Sequence, residues 1–280
     1  MLRVGVFGAA GRMGTTVSAA VAGAPDLELV AAVDPVGVGR PALEGRTGTG
    51  AGGSSNLLIS GDASAMLDAG VEVAVDFTRA ESAMENLRFC AASGTHAVSG
   101  TSGISPADVE ELARVFDPDP TKRPAGASNC AWVPNFAIGA VLMMRFAEIA
   151  ARFFDAVEVI ELHHDGKLDA PSGTAAATAE RMTSARIAAG REAWPEDATR
   201  DLNLASVRGG EGAGGVRIHS VRLPGLVAHQ EVVFGTTGQT LSIRHDSYDR
   251  ASFMPGVLLA VRSTPFLPGL TVGLDALLDL

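Results

Sequence analysis

Between Glu161 and Thr174 the chain reads Glu-Leu-His-His-Asp-Gly-Lys-Leu-Asp-Ala-Pro-Ser-Gly-Thr, which places two imidazoles, His163 and His164, and one ammonium, Lys167, close together. Imidazole titrates near neutrality, so such a pair can exchange protons at ordinary pH. Ser172, Gly173 and Thr174 stand where an Ala-rich helix is expected to begin. Unpaired backbone N–H groups and the helix dipole there suit an anion such as a carboxylate. The composite has the chemistry of an acid–base site for an anionic ligand. Zinc fits it poorly, because adjacent strand histidines point to opposite faces and no H-E-x-x-H spacing supplies a converging set. Taken alone, the two histidines suit a structural role as well as a chemical one.

A second constellation lies near the N-terminus, where Gly8-Ala9-Ala10-Gly11-Arg12-Met13-Gly14 has the spacing G-x-x-G-x-x-G. Glycines at such positions let the backbone approach a pyrophosphate, whose charge then rests at the N-terminus of the next helix. The plainer alternative is a tight turn. Context favours the dinucleotide loop: an apolar run, Leu2 to Phe7, precedes it, an Ala/Val-rich helical stretch, Thr15 to Gly23, follows, and Asp34 ends the next apolar run. An acid there accepts ribose hydroxyls and repels a 2'-phosphate, so Asp34 favours NAD over NADP. Arg12 and Arg40 temper that preference.

The elements that must position these residues alternate strand and helix in the first half. Leu27 to Val33 reads as a strand stopped by Asp34-Pro35, and Val71 to Phe77 as another ending in Asp76-Phe77-Thr78. A helix over Glu81 to Ser93, a strand from His96 to Gly100-Thr101-Ser102 and a helix over Pro106 to Val115 continue the pattern. Strands that are apolar throughout and alternate with helices predict a parallel sheet covered on both faces, with ligands at the carboxyl ends of its strands. Gly37 to Gly61 reads as a surface excursion returning to a strand near Asn56 to Ile59, and Asp117 to Pro124 as a connector. Beyond it, a long amphipathic helix over Asn135 to Phe154 leads into a second domain. Its strands are Val157 to Leu162, Val216 to Val221, Val227 to Phe234 and Gln239 to Arg244. The predicted class is α/β: a Rossmann-like dinucleotide-binding domain, residues 1–136 completed by 252–280, and an α+β domain, residues 137–251, with a mixed, mostly antiparallel sheet.

The chain has 280 residues, a formal net charge of -10 and two cysteines, Cys90 and Cys130. At about 150 residues per domain that length suits two domains. The acidic balance and the lack of a Lys/Arg run argue against nucleic acid and anionic membrane as partners. The cysteines have no CxxC spacing, which argues against a disulfide framework and fits a reducing compartment. With no apolar run long enough to span a membrane and no signal-like N-terminus, a cytoplasmic protein is expected.

The motifs together resemble one family. The glycine loop, Val75-Asp76-Phe77-Thr78, Gly100-Thr101-Ser102-Gly103, Pro134-Asn135-Phe136-Ala137-Ile138-Gly139 and, above all, Glu161 through Thr174 are similar to those of 4-hydroxy-tetrahydrodipicolinate (dihydrodipicolinate) reductases. Gly225-Leu-Val-Ala-His-Gln-Glu-Val-Val-Phe-Gly235 and Arg244-His-Asp-Ser247 extend the likeness over essentially the whole chain. The resemblance implies NADH- or NADPH-dependent reduction of a cyclic dicarboxylate to tetrahydrodipicolinate, in the diaminopimelate route to lysine, without a metal. It implies His163 as proton donor, Lys167 as a second proton-donating or substrate-activating residue, and His164, Ser172, Gly173 and Thr174 as substrate contacts. It implies Gly8, Ala9, Ala10, Gly11, Arg12 and Met13 around the pyrophosphate and Asp34 at the ribose. Phe77, Thr78, Gly100, Thr101, Ser102, Val133, Pro134, Asn135 and Phe136 then lie beside the nicotinamide. It further implies a homotetramer assembled through the sheets of the substrate domains, and domain closure over both ligands. The chemistry agrees: hydride addition to a conjugated C=N system builds electron density that an imidazolium can protonate and a nearby cation can stabilise.

Three positions depart from the family pattern. Ser102 replaces a common threonine, Val133 stands where a smaller residue is usual, and Gly166 replaces a bulkier polar side chain. Val133 is expected to narrow the nicotinamide pocket and Gly166 to loosen the active loop. His96, His219, His229 and His245 are read as structural, and the two cysteines as buried apolar residues. Two other functions fit the same fold: an oxidoreductase acting on another imine or keto acid, and a catalytically silent nucleotide-binding sensor.

Overall fold

The structure, a computed structural model, describes residues 1–43, 57–117, 119, 128–201, 203–204 and 207–280. The middle of the expected surface excursion and most of the proline-rich connector lie outside these residues. The chain divides into two compact units, Met1–Phe136 with Phe253–Leu280, and Ala137–Ser252.

The first unit begins β1 (Leu2–Phe7), α1 (Arg12–Gly23), β2 (Leu27–Val33), α2 (Ser64–Asp68), β3 (Val73–Asp76), α3 (Ala80–Ser93), β4 (His96–Ser99), α4 (Pro106–Val115) and β5 (Cys130–Trp132). The second consists of α5 (Ile138–Ala150), β6 (Ala156–His163), α6 (Gly173–Ala188), β7 (Gly210–Glu211), β8 (Arg217–Arg222), β9 (Ala228–Thr236) and β10 (Gln239–Ser247). The chain then returns to the first unit with α7 (Met254–Ser263) and β11 (Leu270–Val272).

Six strands of the first unit pair in the order β11-β5-β4-β3-β1-β2, all parallel. Val4, Val6, Val73, Val75 and Val98 are fully or almost fully buried, as a sheet covered on both faces requires. Leu87, Cys90 and Leu112 from the helices, with Phe116 just past α4, pack in one core with Phe7, Ala74 and Ala97 of the strands. Local signals set the helix ends: Ser105 and Asp108 form a capping box with Pro106 at the first turn of α4, and Gly94, at φ +75°, closes α3 in the left-handed conformation. The strand β11 was not read from the sequence. It adds to the edge at β5, with Leu270 opposite Cys130. The expected strand near Ile59 is reduced to two isolated bridges, Leu58 to Pro41 and Ser60 to Val33, with Asn56 outside the described residues.

The sheet of the second unit runs β10-β9-β6-β8-β7. Only β6 and β8 are parallel; the other pairings are antiparallel. Successive residues of β6 alternate between faces, so Val157, Val159 and Glu161 are buried on one side while Glu158 and Ile160 are half-buried on the other. Ala147, Ala150, Ala175, Ala179 and Met182 of α5 and α6 pack with Val157, Val159, Val232 and Phe234 as one core. Small helix residues let the helices approach the sheet closely. Glu161 is the polar member of the same strand face, and that burial is the first sign of a special environment. No helix among the described residues is long and apolar enough to cross a membrane.

Candidate active site

The first unit gathers its expected site residues at the carboxyl ends of five parallel strands. Gly8 to Met13 follow β1, Asp34 follows β2, Phe77 and Thr78 follow β3, Gly100 to Ser102 follow β4, and Val133 to Phe136 follow β5. Because β1 pairs with β2 on one side and β3 on the other, the glycine loop occupies the point where strand order reverses.

The loop has the geometry of a phosphate cradle. Gly8 has φ +67°, and its carbonyl accepts the Gly11 N–H at 2.9 Å. A Cβ on Gly14 would stand 2.0 Å from that same carbonyl oxygen, and one on Gly37 would stand 2.7 Å from Ala10 Cβ. Gly11 caps α1 without a side-chain hydrogen bond, so the cap residue occupies none of the first-turn N–H groups. These features fit a dinucleotide pyrophosphate. Asp34 is nearly buried: Oδ2 accepts the Ala10 N–H at 3.0 Å and Oδ1 the Val36 N–H at 2.8 Å. It therefore shapes the loop, and its remaining lone pairs are what a ribose hydroxyl can use.

Around β3 and β4 the organiser is Asp76, which sequence reading did not single out. Its buried carboxylate accepts the Thr78 N–H and hydroxyl, both at 2.8 Å, the Thr101 hydroxyl at 3.2 Å and the Asn86 amide at 2.7 Å. The Phe77 ring covers Gly100 so closely that a Cβ there would fall 2.1 Å from it, and it packs on Phe136 with centroids 5.4 Å apart. Val133 is fully buried. Its side chain is part of the core, and its backbone N–H donates to Ser99 O at 2.8 Å. Arg12 and Ser102 are exposed, Met13 and Asn135 half-buried, and Pro134 exposed.

In the second unit the histidine block occupies the end of β6 and the turn into α6. His163 Nδ1 lies 2.5 Å from Glu161 Oε2. Glu161 is fully enclosed, and Arg222 of β8 grips it bidentately, Nη1 to Oε2 at 2.9 Å and Nη2 to Oε1 at 2.8 Å. Burial pushes the Glu161 carboxyl up, but hydrogen bonds from Arg222, Ser220 and His163 outweigh it and hold the group below the ordinary carboxylate value. Burial pushes the His163 imidazole down, aided by Lys167 and Arg222; the upward pull of Glu161 does not offset this, and the ring titrates below its ordinary value. Lys167 Nζ donates to Asp169 Oδ1 at 2.8 Å, an ion pair with a largely exposed acid. His164 is exposed, and Gly166 leaves its Nδ1 just 3.4 Å from where a Cβ would stand.

Ser172 is the N-cap of α6, its hydroxyl accepting the Ala175 N–H at 3.2 Å, and it is buried. Its side chain is committed to the helix, while Gly173 is exposed and Thr174 half-buried at the first turn. The other histidines have structural surroundings. His96 Nδ1 accepts the Asn129 N–H, His219 meets Glu158, His229 meets Asp246, and His245 packs on Gly139. Cys90 and Cys130 are free and wholly buried, with burial pushing both thiols up.

A Rossmann-type unit with a phosphate cradle, together with a second unit carrying a buried carboxylate paired with an imidazole, a lysine and a helix start, defines a pyridine-nucleotide-dependent oxidoreductase. The family models of the dihydrodipicolinate reductase N-terminus and C-terminus match residues 2–121 and 139–278. A 4-hydroxy-tetrahydrodipicolinate reductase of Nocardia farcinica is 50% identical over 279 residues, covering 100% of this chain and 99% of the relative. One of Corynebacterium aurimucosum is 47% identical with the same coverage. Among solved structures, a dipicolinate-bound dihydrodipicolinate reductase from Paenisporosarcina sp. TG-14 is 34% identical, covers 99% of both chains and superposes with a TM-score of 0.80. An amine dehydrogenase from Mycobacterium smegmatis, 16% identical with a TM-score of 0.63 over 98% of this chain and 95% of its own, shares the fold. The chain belongs to the dihydrodipicolinate reductase family.

Proposed function

We propose that this protein reduces 4-hydroxy-tetrahydrodipicolinate, whose hydroxyl leaves as water to give the conjugated imine that accepts the hydride, to tetrahydrodipicolinate with NADH or NADPH, a step on the diaminopimelate route to lysine. The observation that carries the reading is the end of β6, where His163 is tied to a buried carboxylate, with Lys167 in the turn that follows and Ser172 capping α6. That arrangement suits a small dianion that must be protonated as it is reduced, and the solved relative was determined with dipicolinate bound. When bound, the nicotinamide supplies a hydride.

The chain's own groups do the rest. The N–H groups of Gly173 and Thr174 hold a substrate carboxylate at the positive end of α6. Lys167 exchanges Asp169 for substrate; an exposed ion pair of this kind contributes about 1 kcal/mol or less, so the exchange is cheap. His164, exposed on the turn after β6, offers a further donor. His163 delivers a proton from Nε2 to the atom that gains electron density, and Lys167 stabilises that density. In the first unit, the Gly8 to Met13 cradle holds the pyrophosphate, Asp34 the ribose, and the loops after β3, β4 and β5 border the nicotinamide. Ser102 keeps the hydroxyl of the usual threonine. A cytoplasmic homotetramer is part of the proposal, supported by family membership.

His163→Ala and Lys167→Ala test the roles. Each is expected to lower kcat by at least about 100-fold while NADH binding stays within about twofold of wild type. Full turnover in both variants would contradict the assignment.

A further inference from the structure

Glu161 and Arg222 touch neither ligand in the scheme above, yet they form a bidentate ion pair with a fully buried carboxylate next to His163. We propose that this buried ion pair positions and tunes the proton donor: Glu161 fixes His163 as the Nδ1–H tautomer, and Arg222 limits how strongly Glu161 retains the ring's proton. The proposal rests on the reading of His163 as the donor.

The tautomer follows from counting acceptors. Glu161 Oε2 receives Arg222 Nη1 and His163 Nδ1, while Oε1 receives Arg222 Nη2 and the Ser172 N–H at 3.3 Å; the Ser220 hydroxyl adds a further bond. An ionised carboxylate so occupied only accepts, and the nitrogen facing it must donate. Nδ1 therefore carries hydrogen in every protonation state of the ring. Nε2 is left as the atom that gains and releases the working proton.

Arg222 answers a second problem. A lone buried carboxylate 2.5 Å from an imidazole favours the imidazolium so strongly that the acid becomes reluctant to give up its proton. The bidentate guanidinium offsets that charge and, with Lys167, pushes the ring the other way. The charged groups facing His163 are Glu161 from β6, Arg222 from β8 and Lys167 from the turn, itself paired with Asp169. From α6 the Ser172 N–H reaches Glu161. The pair also sets the register of the site, because Arg222 Nη2 donates to Asp169 O at 2.7 Å while Ser172 N donates to Glu161. Donor, lysine turn and anion-binding helix start thus share one buried anchor.

The test reads the ring directly. In the full-length protein carrying 15N-histidine, with His163 assigned by His163→Asn, the ring nitrogen shifts should report Nδ1–H. Glu161→Gln should abolish that preference and lower the ring's pKa, whereas Arg222→Gln should raise it. The acid limb of kcat/KM should move with the ring, in opposite directions for the two variants, with about 10- to 100-fold loss of kcat in each. A pair that served only stability would shift Tm without moving the ring in opposite senses. If Glu161→Gln alone does not fold because Arg222 is left unpaired, Glu161→Gln with Arg222→Gln removes both charges and should still lose the Nδ1–H preference. An Nε2–H tautomer in the wild type, or a ring whose pKa moves the same way or not at all in the two single variants, overturns the proposal. Since tautomer and pKa are read without substrate, absent turnover in the wild type would count against the reductase reading alone.

Discussion

Gly14→Ala puts the cofactor cradle under the sharpest test. The added methyl carbon would stand 2.0 Å from Gly8 O, 2.7 Å from Gly8 C and 2.8 Å from Ala9 Cα. All three are backbone atoms, and the Gly8 carbonyl is held by the Gly11 N–H. Restoring ordinary contact requires α1 and the loop to part by about 1.4 Å. Overpacking against backbone costs about 1–3 kcal/mol, which in a unit of this size lowers Tm by about 2–12 °C. A displacement above 1 Å in a binding constellation costs about 100-fold, or about 2.7 kcal/mol, so the NADH Kd should rise by that factor. The assay is an NADH fluorescence titration alongside a melting curve. A lowered Tm with an unchanged Kd would refute the cradle as the seat of the cofactor; unchanged values of both would refute the close approach itself.

Two further outcomes follow from the same geometry. Asp34→Ala should raise KM for both cofactors, since the carboxylate also holds the Ala10 and Val36 N–H groups, but should raise it more for NADH, which alone offers a 2'-hydroxyl; equal increases in steady-state assays would remove Asp34 from the ribose. Glu161 predicts an acid transition: its folded pKa lies below the ordinary value, so its stabilisation is complete above the unfolded value of about 4.3 and is lost as pH falls through the folded one. Tm measured from pH 7 to pH 3 should drop most below about pH 4, and a folded Glu161→Gln variant should show a flatter acid limb; parallel curves would contradict it.

Local chemistry makes part of this molecule legible in its sequence. The glycine loop announces itself because Gly8 needs a positive φ and Gly14 a close approach, and both demands fall on residue type. The apolar runs of β1 to β4 are equally plain because both faces of a parallel sheet are covered. Contacts between distant residues were not legible. Arg222 meets Glu161 across 61 positions, and only the β6–β8 register, which puts His163 opposite Arg222, brings them together. The available signal was the i, i+2 relation of Glu161 and His163, which places both on one strand face. Asp76 could be seen to end a strand, but not to collect Thr78, Asn86 and Thr101. Three-residue β11 carries too little periodicity to stand out, and the burial of Val133 depends on its neighbours in space.

The reaction is read by the loss of near-ultraviolet absorbance by NADH, and in parallel by NADPH, when the purified protein meets substrate generated in place by dihydrodipicolinate synthase. Rapid oxidation that depends on the protein and disappears with His163→Ala is the predicted result. Demonstrable NADH binding without oxidation of either cofactor would contradict it.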